Sequence, residues 1–107
     1  MTSQRRFYRI EYPVGARPIL SVNGSTGQIV ELSEGGGRVL VSDPDLVWLK
    51  DGTQVTITFQ CGDTATSTAT LVRVDGDQIV VRFSPPIALP IIIEEQRLLI
   101  IQFPKDG

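Results

Sequence analysis

Alternation of apolar and polar residues, interrupted by glycine and proline turns, is the feature that most limits how this chain can fold. Within residues 54–60, Val55, Ile57 and Phe59 occupy every second position, with threonines between them, as in a strand with one buried face. Similar strand-like segments span residues 7–12, 16–22, 26–32, 38–41, 64–74 and 78–83. Short strands without intervening helices predict an all-β fold, an antiparallel barrel or sandwich of six or seven strands.

Two dipeptides predict tight connections between these strands. Asn23-Gly24 lies between the second and third segments, and Asp75-Gly76 lies between the last two. Asn, Asp and Gly tolerate the positive φ angles that two-residue hairpin loops require. We therefore expect both pairs of segments to form antiparallel hairpins.

The C-terminal segment 91–103 has a different pattern. Ile92, Gln96, Leu99 and Phe103 recur at helical spacing, and prolines stand just before and just after the segment. The pattern favours an α-helix, although the isoleucines would also suit a strand. The helix would carry more apolar residues than one face can bury, so we hypothesise that it mediates a homodimer or contacts a larger partner.

Length and composition narrow the class of protein. A chain of 107 residues predicts one domain spanning residues 1–107, and its formal net charge of −2 argues against general binding of DNA or RNA. No apolar stretch is long enough for membrane insertion, so we predict a cytoplasmic protein. The chain has no histidine, which excludes His-dependent catalysis, and we predict neither a metal site nor an enzyme. The single cysteine, Cys61, is expected to pack beside Phe59.

A cluster of arginines at the N-terminus is the first candidate binding element. Arg5, Arg6 and Arg9 follow Gln4, and Arg9 falls on the polar side of the first predicted strand. Guanidinium groups bind phosphate in a bidentate manner and stack on aromatic bases. These residues predict a local site for a small anionic nucleotide.

The segment from Glu31 to Gly36 is the second candidate element. Glu31 supplies a carboxylate and Ser33 a hydroxyl, and both precede the glycines Gly35 and Gly36 at the end of a predicted strand. Glycines permit left-handed backbone conformations and the close approach of a flat base or a phosphate. A simple turn between strands is the alternative interpretation. Arg73 and Arg82, beside the last predicted turn, fit an exposed polar face at least as well as a ligand site.

Together the two elements resemble the motifs of the PilZ domain family, RxxxR followed by (D/N)xSxxG. Arg5 and Arg9 fill the first motif, and Ser33 and Gly36 fill the second, whereas Glu31 stands where the family has Asp or Asn. The resemblance implies a PilZ-type β-barrel with a C-terminal α-helix packed on it. It also implies a receptor for cyclic di-GMP, with the arginines on the phosphates and guanine faces and the SxxG segment on guanine edges. Within this interpretation Gln4, directly before the first motif, could influence ligand stoichiometry.

The expected mechanism couples binding to ordering. Residues 1–9 would form a flexible arm that a dianionic ligand bridges to the segment 33–36, and the ordered arm would present a changed surface to a protein effector that the sequence does not identify. No cofactor is expected besides the ligand itself.

Two alternatives remain at this stage. The first is a degenerate PilZ-like adaptor that has lost the ligand and acts through protein contacts, which the departure at Glu31 supports. The second is an oligonucleotide-binding barrel, for which Phe7 and Tyr8 beside three arginines offer some support and the net acidity does not.

Overall fold

The computed structural model describes residues 9–22, 24–42 and 52–102. Within these ranges the chain forms seven β-strands, one short 3-10 turn at Val14–Ala16 and one α-helix. The strands are β1 (Arg9–Glu11), β2 (Ile19–Val22), β3 (Ser25–Ser33), β4 (Gly36–Val41), β5 (Thr53–Thr58), β6 (Thr64–Asp75) and β7 (Gln78–Ser84), and the helix is α1 (Leu89–Gln102).

Six of the strands close into an antiparallel barrel. The sheet order is β1-β3-β2-β5-β6-β7-β4, and an additional β3–β4 pairing joins β4 back to β3. Strand β1 is the extra strand, because it pairs with β3 beyond the stretch that pairs with β2. The predicted barrel of six or seven antiparallel strands with a C-terminal helix is therefore confirmed.

The barrel core follows the alternation read from the sequence. Val55, Ile57 and Phe59 are buried, and the threonines between them are partly or fully exposed. In β1, Ile10 is buried while Arg9 and Glu11 are exposed. Every second residue of the strands thus faces one continuous apolar interior, as the alternation of apolar and polar residues in the sequence predicts.

The two predicted hairpins are present. Val22 pairs with Ser25 across the β2–β3 connection, where Gly24 has a φ of +82°. Asp75 pairs with Gln78 across the β6–β7 connection, where Gly76 has a φ of +65°. Glycine suits both turns because most residues that carry a Cβ adopt such angles only with strain.

The start of β2 and the position of Cys61 differ from the sequence expectations. The predicted strand 16–22 begins only at Ile19, because Val14–Ala16 forms a 3-10 turn and Pro18 has no N–H to donate to a ladder. Cys61 is exposed rather than packed. It lies in a tight turn closed by hydrogen bonds between the backbone of Phe59 and those of Gly62 and Asp63, at 2.9 Å each, and this turn directs it to the surface.

Helix α1 packs on the barrel along one side. It begins at Leu89, two residues before the predicted start at 91, and Pro90 lies in its first turn, where a missing N–H costs nothing. Ile92 is fully buried, and Leu89, Ile91 and Leu99 pack against the core. None of the helices in the described ranges is long and apolar enough to cross a membrane.

Candidate functional site

The two candidate binding elements meet in the sheet. Arg9 in β1 is the direct register partner of Ser33 at the end of β3, and Glu11 pairs in the same way with Glu31. Because directly paired residues of antiparallel strands project to the same face, Arg9, Ser33 and Glu31 share the outer face of the barrel. Residues more than twenty positions apart in the sequence thus belong to one surface.

A cleft of about 260 Å³ lies on this outer face. The predicted site residues Arg9, Glu31, Ser33, Gly35 and Gly36 all line it. The other residues that line the cleft are Leu32, Gly37, Arg38, Val72, Val80, Val81 and Arg82. Strands β1, β3, β4, β6 and β7 therefore all contribute to one concave surface.

The loop between β3 and β4 is fixed by three hydrogen bonds. The Ser33 hydroxyl donates to the carbonyl oxygen of Gly36 at 3.2 Å and closes the loop on itself. The N–H of Phe83 donates to the carbonyl of Gly35 at 2.9 Å, and the N–H of Ile87 donates to the carbonyl of Glu34 at 2.8 Å. The loop is thus tied to β7 and to the segment that leads into α1, which holds the cleft rim in one shape.

Gly36 and Gly37, the first residues of β4, are required by the limited space around them rather than by unusual backbone angles. The left-handed conformations that glycine permits are not used at Gly35–Gly37, because the glycines with positive φ in the described residues are found elsewhere. Instead, a Cβ on Gly36 would overlap the carbonyl oxygen of Val81, and one on Gly37 would lie 2.9 Å from the carbonyl oxygen of Glu31. The short hairpin brings β4 so close to its neighbours that only glycine fits at these two positions.

Two arginines outside the family motifs also line the cleft. Arg82 in β7 is the register partner of Gly36, and Arg38 in β4 is the register partner of Glu31. Arg38 also donates a hydrogen bond from Nη1 to Oδ2 of Asp75 at 3.0 Å. The alternation in 78–83 already placed Arg82 on an outward face, but no local pattern indicates that β7 pairs with β4.

An apolar wall completes the cleft. Leu71 pairs with Val81 and Arg73 with Val80, so Val72 is the extra residue of a β-bulge in β6. Val72 is therefore an apolar side chain exposed at the cleft: it is 47% exposed and lines the cleft together with Val80. A flat heteroaromatic ring could pack on this wall while its polar edge meets the loop.

The cleft has a positive charge balance in an acidic protein. Arg9, Arg38 and Arg82 line it against the single carboxylate of Glu31, whereas the whole chain has a formal net charge of −2. Within the described ranges, no group of His, Cys, Asp and Glu is arranged to hold a metal ion. The guanidinium groups of the three arginines suit the cleft to an organic anion.

The remaining predicted site residues, Gln4, Arg5 and Arg6, lie outside the described residues. The predicted arm 1–9 overlaps the described residues only at Arg9, which belongs to β1. Assignment of the other three residues to the site stays a prediction.

Comparison with known families agrees with this architecture. The PilZ domain family matches residues 3–99 of the chain. The match covers both motifs and all seven strands, and we conclude that the chain belongs to the PilZ domain family, a family of cyclic di-GMP receptor domains.

Two solved structures share the fold. One is the uncharacterised Legionella protein Lpg0364, at 16% identity and a TM-score of 0.59, with 89% of each chain covered. The other is the PilZ domain of YcgR from Escherichia coli with c-di-GMP, at 21% identity and a TM-score of 0.57, covering 92% of this chain and 91% of that one. No curated protein sequence matches the chain.

Proposed function

We propose that this protein is a cyclic di-GMP receptor and that the cleft between β1, β3, β4 and β7 is part of its binding site. The observation that carries the proposal is the direct pairing of Arg9 with Ser33 at a cleft that Arg38 and Arg82 also line. This arrangement unites residues from both family motifs with two further cations. The solved PilZ domain of YcgR contains c-di-GMP, which supports the same choice of ligand.

Each group has a role that follows from its chemistry. Arg9 binds a phosphate oxygen or covers a guanine face, because a guanidinium is both a hydrogen-bond fork and a planar cation. The hydroxyl proton of Ser33 is engaged with Gly36, so its oxygen remains able to accept from a guanine N–H. Glu31 accepts from the guanine edge, and Gly35 and Gly36 let the base approach the loop.

The size of the cleft bears on how the ligand is held. Its volume of about 260 Å³ is below the roughly 300–1,000 Å³ of pockets that enclose drug-sized ligands. We infer that the cleft takes one guanylyl half of the dinucleotide. The other half then extends toward the N-terminal arm, where Arg5, Arg6 and Gln4 complete the site, and no cofactor takes part.

In this proposal the ligand bridges the N-terminal arm to the cleft and thereby orders the arm. Charge-assisted hydrogen bonds contribute about 1.5–3 kcal/mol each, so a few of them offset the cost of ordering several arm residues at about 1–2 kcal/mol each. The ordered arm changes the surface offered to an unidentified protein effector in the cytoplasm, without catalysis, membrane insertion or binding of DNA or RNA. The apolar residues of α1 that face outward, among them Ile100, form a homodimer contact.

Titration of the full chain with cyclic di-GMP, followed by amide chemical shifts, tests the proposal. We expect saturable shifts at Arg9, Ser33, Gly35 and Gly36, and small shifts at exposed positions of α1. Absence of binding, by calorimetry as well, would overturn the receptor function and favour the degenerate adaptor. Binding of a single-stranded oligonucleotide in place of cyclic di-GMP would favour the oligonucleotide-binding barrel.

A further inference from the structure

One of the arginines that line the cleft, Arg38, is already paired with an anion supplied by the protein itself. Asp75, at the end of β6, accepts a hydrogen bond from Nη1 of Arg38 and another from Nε of Arg73, both at Oδ2 and both at 3.0 Å. These two bonds, with that from Arg73 the stronger cause, hold the pKa of Asp75 below its usual value. Asp75 is therefore a carboxylate at neutral pH, and it neutralises an arginine that lines the candidate site.

From this arrangement we propose that Asp75 is an internal competitor of the ligand phosphate, and that Arg38 exchanges Asp75 for that phosphate when the ligand binds. The proposal rests on the cyclic di-GMP function proposed above. It adds Arg38 to the residues that bind the anion, and it assigns to Asp75 the task of weakening affinity in the free protein.

The position of Arg38 makes the exchange physically reasonable. Its side chain is 29% exposed, and the residue lies in β4 between Glu31 of β3 and Val80 of β7. Its backbone is thus held in the sheet while its guanidinium reaches the cleft surface. The bond to Asp75 engages one of the five N–H donors of a guanidinium, so a rotation of the side chain can turn the fork toward a phosphate.

The second partner of Asp75 lowers the cost of release. When Arg38 leaves, Asp75 keeps its bond to Arg73, whose side chain is 57% exposed. No carboxylate is left unpaired. The pair that breaks is solvated, and such pairs contribute little to stability, whereas a phosphodiester offers two oxygens to a planar fork.

The β6–β7 hairpin offers a matched control for the test. Asp77 lies two residues after Asp75 in the same hairpin and is also exposed. Among the described residues, Arg38 and Arg73 form their ion pairs with Asp75 and not with Asp77. Asp75→Asn and Asp77→Asn remove the same charge from nearly the same place. A general electrostatic effect on the affinity for an anionic ligand appears in both variants. The additional gain in affinity from releasing Arg38 appears in Asp75→Asn alone.

The experiment is calorimetric titration of the full chain with cyclic di-GMP at fixed ionic strength. We expect Asp75→Asn to bind at least threefold more tightly than wild type, and at least twofold more tightly than Asp77→Asn. Arg38→Gln should weaken binding, and adding Asp75→Asn to Arg38→Gln should raise affinity no more than adding Asp77→Asn does, because the arginine that the change releases is gone. Melting temperatures within a few degrees of wild type show that each variant is folded.

The outcomes separate the two proposals. Wild-type binding with equal affinities for Asp75→Asn and Asp77→Asn overturns the competitor role and leaves the receptor function intact. So does a gain from Asp75→Asn that exceeds the gain from Asp77→Asn and persists without Arg38. Absence of binding in wild type and in every variant overturns the receptor function, and the competitor role with it. Binding by Asp75→Asn alone supports both.

Discussion

The hydroxyl group of Tyr12 donates a hydrogen bond of 2.8 Å to Oε1 of Glu95, inside the contact between the barrel and α1. Tyr12 follows β1, the strand of Arg9, and both partners of the bond are buried, at 5% and 7% exposure. Burial raises the pKa of the Tyr12 hydroxyl, so it keeps its proton and is the donor. The bond therefore fastens the helix next to the strand that carries a candidate ligand residue.

The first prediction concerns the pH dependence of this contact. Burial is the largest influence on Glu95 and raises its pKa, although the bond from Tyr12 acts in the opposite direction. The folded state therefore binds the proton more tightly than the unfolded state, and this group's contribution to stability falls as pH rises from the ordinary glutamate pKa through the raised one. Glu95→Gln, which keeps an acceptor without the charge, should gain stability relative to wild type over that window.

Chemical denaturation at a series of pH values measures this difference. Asp77→Asn serves as a control because it removes an exposed carboxylate in the β6–β7 turn that is not among the groups that shift the pKa of Glu95. Tyr12→Phe should cost about 1.5–3 kcal/mol at neutral pH, since it leaves a buried carboxylate without its donor. Parallel pH profiles for wild type and Glu95→Gln would contradict the prediction.

The second prediction concerns Arg9. Arg9→Ala should weaken cyclic di-GMP binding at least tenfold and leave the melting temperature nearly unchanged, because the side chain is exposed and Ile10 still holds β1 in the core. Calorimetric affinity measures the effect, and wild-type binding should also weaken with added salt. Arg97→Ala on α1 removes the same charge outside the cleft and should bind normally. Unchanged affinity in Arg9→Ala would remove Arg9 from the site.

The third prediction concerns Glu31, which stands where the family has Asp or Asn. Glu31→Asp restores the shorter carboxylate and should hold or raise the affinity for cyclic di-GMP. Competition titration against wild type detects changes of this size. A clear loss of affinity would mean that the longer side chain is required here, and that this protein contacts the guanine edge with a different geometry from that of the family motif.

Much of the fold could be predicted because it depends on local patterns. Alternation along Val55, Ile57 and Phe59 fixes which face is buried, and Gly24 marks a hairpin. The parts that escaped prediction depend on contacts between distant residues. Tyr12 and Glu95 are 83 positions apart. No local sequence pattern around Glu95 predicts that it is buried with a hydrogen bond from a distant hydroxyl group.

The candidate site likewise contains residues that local patterns predict and residues that depend on distant contacts. Arg9, Ser33 and Gly36 could be named from motif spacing, but Arg38 and Arg82 could not. Their place in the cleft depends on the register of β4 against β3 and β7. That register is set by the packing of the whole barrel and by glycines that allow close approach, and no short sequence pattern encodes it.

The fourth prediction concerns self-association through α1. Ile93, Ile100 and Ile101 are exposed on the helix, with Ile100 at 65%. If this face forms the proposed homodimer, Ile100→Asp should yield a monomer, because it places a charge in an apolar contact. Val14→Asp changes another exposed apolar residue outside α1 and should leave the dimer intact. Sedimentation equilibrium distinguishes these states, and a strictly monomeric wild type at high concentration would contradict the dimer.

The last prediction separates the role of Gly36 in packing from the role of Gly35 in ligand binding. A Cβ on Gly36 would overlap the backbone of Val81, so Gly36→Ala should destabilise the fold by about 1–3 kcal/mol and distort the cleft. A Cβ on Gly35 would meet nothing within 4 Å, so Gly35→Ala should change stability by less than about 0.5 kcal/mol. The added methyl group would nevertheless stand where the guanine approaches, and the affinity for cyclic di-GMP should fall several-fold. Denaturation and calorimetry on both variants test this, and wild-type affinity in Gly35→Ala would show that the ligand does not reach the loop.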